Sequence, residues 1–78
     1  MNMVQMAAKM QDCNDTAKSF YGDKYDEKIK PIKEAINRLS EQDGKGVLPA
    51  AIKLAQLNKE NGMVSMMIFS AAVDMVGA

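Results

Sequence analysis

Enzyme chemistry needs a nucleophile beside a base, a carboxylate pair, clustered metal ligands or a cofactor cradle, and this chain offers each only in fragments. Cys13 is the single cysteine, and there is no histidine to activate it. A reactive thiolate needs an electropositive, partly exposed setting, whereas Cys13 falls on an apolar stripe, the place of a small buried hydrophobe. Asp12 with Asp15, and Asp23 with Asp26, are carboxylates three residues apart. That spacing could hold a weakly bound Mg2+, but exposed helix and cap positions explain it better. The stretch Asp12 to Asp23 (DCNDTAKSFYGD) sets oxygen side chains at Asp12, Asn14 and Thr16 and ends on an acid, in the manner of a calcium loop. Ala17 stands where such a loop needs glycine for its sharp turn. Gly44, Lys45 and Gly46 look like the end of a phosphate-binding loop, yet the upstream glycine, the hydroxyl residue after the lysine and the preceding strand are missing. The expectation is therefore a protein that is not an enzyme, with no catalytic residues, no metal ligands and no cofactor.

The methionines are the other unusual feature. There are 8 Met in 78 residues. Met1, Met3, Met6 and Met10 fall near one end, Met63, Met66, Met67 and Met75 near the other, and none lies between. The simplest arrangement packs the first element against the last, so that the thioethers share one part of a core. Methionine fills irregular gaps and adapts to varied partners, so the same residues also suit a recognition surface. Thioethers ligate soft Cu(I) as well, but packing already explains the helical spacing of Met3, Met6 and Met10.

Four helices account for the apolar pattern. Met3, Met6, Met10, Cys13, Ala17 and Phe20 are spaced 3, 4, 3, 4, 3, one stripe of a helix over residues 2–21. Gly22 suits the left-handed position past its end. Tyr25, Ile29, Ile32, Ile36 and Leu39 form a second stripe, spaced 4, 3, 4, 3. Pro31 leaves two starts open for this helix: near Lys28 with the proline in its first turn, or near Asp23 with a kink. Glu41 to Gly46 (EQDGKG) is the clearest turn. Val47 to Asn61 has a broad apolar face, with Pro49 in the first turn. Asn61 and Gly62 then read as the cap of this third helix. The fourth runs from Met63 to Val76 with Asp74 as its one charge, apolar nearly all round, and a three-helix shell must cover it. The fold class expected is an all-α compact bundle of four short helices in one domain, residues 1–78, with self-association relieving any apolar surface left uncovered.

Apolar residues make up 47% of the chain and charged residues 26%, and ten Lys plus Arg balance ten Asp plus Glu. This composition describes a soluble globular protein with no electrostatic pull toward nucleic acid or an anionic membrane. Met63 to the end is too short to span a bilayer comfortably. A lone cysteine cannot form an internal disulfide, and residues 1–10 lack the pattern of a signal peptide, so a cytoplasmic location is expected.

Between the second and third helices, Gly46, Val47 and Ile52 stand where a helix-turn-helix unit has its turn glycine, the residue after it and an apolar position six residues beyond the glycine. The segment resembles that DNA-binding family over about twenty residues. It departs at Gln42, where the family has a small buried residue. The resemblance implies Gln56 and Asn58 as base readers and Lys53 and Lys59 as phosphate contacts.

The reading preferred from the sequence is a small protein-interaction module. It would be an adaptor, a subunit or an inhibitor of a larger complex, such as a phage or mobile-element accessory protein, with DNA binding as the alternative. Its partner would be another protein, and homo-oligomers are compatible with the excess of apolar surface. The anchors expected are those of Met3, Met6, Met10, Met63, Met66, Met67 and Phe69 that folding leaves exposed, with Tyr21 and Tyr25 as second candidates because tyrosine is favoured at binding hot spots.

Overall fold

Asn2 starts the first helix by a reciprocal cap. Its side-chain oxygen accepts from the Gln5 N–H at 2.8 Å, and the Gln5 side chain accepts from the Asn2 N–H at 3.1 Å. Helix α1 then spans Met3–Tyr21. The computed structural model describes residues 2–77. Gly22 ends α1 with φ 59°, its N–H donating to the Lys18 carbonyl, and a 3-10 turn follows over Gly22–Lys24.

Helix α2, Tyr25–Asp43, carries Pro31 inside it. The proline therefore lies beyond the first turn, and the Glu27 carbonyl has no N–H to accept from four residues on, a loss tolerated because both residues face solvent. Gly44 closes α2 in the left-handed conformation at φ 67°, its N–H reaching the Ser40 and Glu41 carbonyls. Helix α3 runs Val47–Leu57 with Pro49 in its first turn. The break after it differs from the sequence expectation. Asn58 caps α3, whereas Asn61 begins the next helix, its side-chain oxygen accepting from the Val64 N–H at 3.1 Å. Asn61 and Gly62 sit together because one caps and the other opens α4, Gly62–Gly77.

The expected all-α bundle of four short helices is the fold, and no strand occurs among the described residues. α4 is the centre, packed against α1, α2 and α3, with α1 its most extensive neighbour, while α1 and α3 flank it without meeting. A helix apolar on nearly every side can only be buried this way. Its middle, Ser70, Ala71 and Ala72, is fully buried, and side chains this small let neighbouring helices approach closely. Ala17 on α1 and Ala50, Ala51 and Ala55 on α3 do the same from the other side, and Ile29, Ile36 and Ile68 fill the remaining volume.

The stripe expected on α1 is rotated in the structure. Met10 and Ala17 are buried and Met6 and Cys13 half-buried, but Met3 is 86% and Phe20 65% exposed. Asn14, a polar residue outside that stripe, is buried instead. The stripe on α2 holds: Tyr25, Ile29 and Ile36 are buried, with Ile32 and Leu39 packed beside them. The methionines also gather as the sequence suggests, Met6 with Met10 from α1 and Met66, Met67 and Met75 from α4 lying in or against one core. No helix among the described residues is long and apolar enough to cross a membrane.

Candidate functional site

The buried polar residues lie together, where α1, α2 and α4 meet. Asn14 of α1 donates from Nδ2 toward the Ser70 carbonyl at 3.0 Å and Asp74 Oδ1 at 3.0 Å. Tyr25, the first residue of α2, donates its hydroxyl to Asp74 Oδ2 at 2.7 Å and lies 2.6 Å from Ser70 Oγ. Ser70 and Asp74 are one turn apart on α4, so a single helix face presents both. Two lysines close the outer side: Lys18 Nζ is 3.2 Å from Asp74 Oδ1 and Lys33 Nζ 3.4 Å from Oδ2. Lys18 also stands 5.6 Å above the Tyr25 ring, a cation–π distance.

Burial sets the electrostatics here. It pushes the Tyr25 hydroxyl up to about 12, an effect reinforced by the Asp74 carboxylate and partly offset by the bond to Ser70. Burial alone would raise Asp74 too, but the bonds from Tyr25, Asn14 and Lys18, with the Lys18 charge, outweigh it and hold the carboxyl below its usual value. No buried side-chain nitrogen or oxygen among the described residues lacks a hydrogen-bond partner. The cluster has spent its donors and acceptors on joining three helices.

Asp74, depressed when folded, contributes stability that is fully present above the usual carboxylate value of 3.8 and lost as the pH falls through the lower folded value. Tyr25, raised when folded, contributes stability that is full below 10.0 and lost as the pH rises toward about 12. Asp74→Asn, which turns an amide donor toward groups that already donate, should cost about 2 kcal/mol near neutral pH. It should also flatten the acid limb of a stability-versus-pH curve measured by urea titration. An acid limb unchanged by the substitution would place the titrating group elsewhere.

The anchors expected from the sequence scatter. Tyr25 is corrected: it is 4% exposed with its hydroxyl bonded inside, so it cannot be a surface anchor. Met10 is buried at 8%. Tyr21 is half-buried, its hydroxyl reaching Met67 Sδ at 3.5 Å and its ring edge-on to Phe20. Met6, Met66, Met67 and Phe69 are half-buried. Of the set, Met3 is 86% and Met63 45% exposed. Of the resemblance-derived DNA contacts, Asn58 donates to the Leu54 carbonyl at 2.8 Å and Lys53 binds Asp43 at 3.1 Å, while Gln56 and Lys59 are exposed.

The surface feature that stands out lies at one end of the molecule and was missed by periodicity. Ala7, Met10 and Gln11 of α1, Leu48 of α3 and Ala72, Val73, Val76 and Gly77 of α4 line an open hollow with no charged residue in its wall. Leu48 and Val76 are 40% and 62% exposed. Met3 and Val4, one turn ahead of Ala7 on α1, are 86% and 79% exposed. Of the residues lining the hollow only Met10 was named as an anchor from the sequence, because the rest come together through tertiary packing alone. A second hollow, walled by Met6, Ile52, Ala55, Gln56, Lys59 and Phe69, lies one turn along α4.

These observations define a small all-α protein with a satisfied polar cluster inside and an uncharged apolar end outside. No protein-family model matches the chain, and no curated protein or solved structure does either. Among the described residues there is no group of three His, Cys, Asp or Glu side chains placed to hold a metal ion.

Proposed function

We propose that this protein works by binding protein, as a subunit, adaptor or inhibitor, and catalyses no reaction of its own. The observation that carries the reading is the hollow between α1, α3 and α4, whose wall carries no charge and where Leu48 and Val76 remain exposed. Burying a side chain of this size against a partner returns about 1.5–3 kcal/mol, so a few such contacts amount to a specific interface. Contiguous exposed apolar surface of this kind marks interaction sites on small proteins. The buried polar side chains Asn14, Tyr25, Ser70 and Asp74 are bonded to one another in the interior.

The test is capture by the tagged protein from its own host's lysate, with and without nuclease, beside a Leu48→Glu variant. Expected is one stoichiometric protein that survives nuclease and is released by the variant, with little dependence on salt. Bound material lost with nuclease, and steeply with salt, would favour the helix-turn-helix alternative.

A further inference from the structure

We propose that Met67 is a modification site: its thioether takes one oxygen from a peroxide to become the sulfoxide, and the Tyr21 hydroxyl receives that oxygen, so the change is held between α1 and α4 without loss of the fold. The proposal is independent of the protein-binding reading above.

The contact between the two side chains is the first argument. The Tyr21 hydroxyl donates to Met67 Sδ at 3.5 Å, across 46 positions of the sequence. Tyr21 ends α1 and Met67 lies in the second turn of α4, so the bond joins the two helices that pack most extensively. A thioether sulfur is a weak acceptor, whereas oxidation makes the side chain polar and its new oxygen a strong acceptor. Oxidation of a methionine in a core ordinarily leaves that oxygen without a partner. At Met67 the donor is already in place.

Reach is the second argument. Met67 is half-buried, in contact with both the core and the surface, while Met10 is 8% exposed. Tyr21 engages one lone pair of the sulfur and leaves the other free. That pair attacks one oxygen of hydrogen peroxide: the S–O bond forms, the O–O bond breaks, and the second oxygen leaves as water with the proton of the first. The thioether is oxidised by two electrons and the peroxide reduced by two. Rotation about the unbranched Met67 side chain then turns the oxygen to the Tyr21 hydroxyl. A cysteine thiolate would compete for the peroxide, but the single thiol, Cys13, is half-buried and holds its proton more tightly through that burial.

The experiment treats the folded chain with hydrogen peroxide, maps each sulfoxide by peptide mass spectrometry and follows unfolding by circular dichroism. Wild type, Tyr21→Phe, Met67→Leu and the double variant are compared. Tyr21→Phe keeps the ring, and Met67→Leu keeps the volume. Expected is Met67 sulfoxide at doses that leave Met10 reduced, reversed by methionine sulfoxide reductases. Oxidation should lower the Tm of Tyr21→Phe by about 5–20 °C more than that of the wild type, because the oxygen then lacks its donor. The same comparison with leucine at position 67 should show no difference. Met67 that stays reduced until the chain unfolds overturns the proposal, whatever the variants do. Equal Tm losses in wild type and Tyr21→Phe overturn it too, as does a difference that persists in the Met67→Leu pair.

Discussion

Replacing Tyr25 with alanine should cost about 4 kcal/mol, out of a total of about 4–12 kcal/mol for a chain of this length. The ring is 4% exposed at the junction of α1, α2 and α4, so truncation leaves a cavity lined by side chains that cannot all collapse into it. It also strips Asp74 Oδ2 and Ser70 Oγ of their hydroxyl partner. Tm should fall by about 15–30 °C. Tyr25→Phe separates the two contributions, because it keeps the ring and loses only the hydroxyl, at about 1–3 kcal/mol. Urea denaturation followed by circular dichroism measures both. A Tyr25→Ala midpoint equal to that of the wild type would mean that the ring lies at the surface.

Ile68→Ala should be nearly as damaging, at about 4 kcal/mol. Ile68 is fully buried on α4, which packs against all three other helices, so the atoms removed had neighbours on several sides. Six of the eleven buried apolar residues of the core are alanines, and such short side chains have little reach to fill a void. Val76→Ala, on the same helix but 62% exposed, should change stability by no more than about 0.5 kcal/mol. Comparable losses at the two positions would contradict the central placement of α4.

Surface and interior have divided the polar and apolar residues in an unexpected way. Asp74, the single charge in an apolar helix, is 16% exposed at the side chain and bonded from two other helices, while Met3, Val4 and Phe20 face water. A half-satisfied polar cluster in a core costs more than an apolar one, so a complete set of bonds confines α1, α2 and α4 to one mutual alignment. Asn14 must then face inward, which turns Phe20 out. The signal for this was present in Ser70 and Asp74, polar residues one helical turn apart in MVSMMIFSAAVDMV.

The sequence by itself determined the helices and their order, since the 3, 4 spacing, the turn at Asp43 to Gly46 and the proline in the first turn of α3 depend on residues within a few positions of one another. It also determined that α4 must be surrounded, because a helix apolar on all sides has no face to give to water. What only the tertiary structure decided was which face of α1 is buried, that Tyr25 is an internal bonding residue, and that Ala7, Leu48 and Val76 line one hollow. Each of those outcomes depends on contacts between residues far apart in the chain. Asn14 and Asp74 are 60 positions apart, and no local periodicity records a hydrogen bond across that distance.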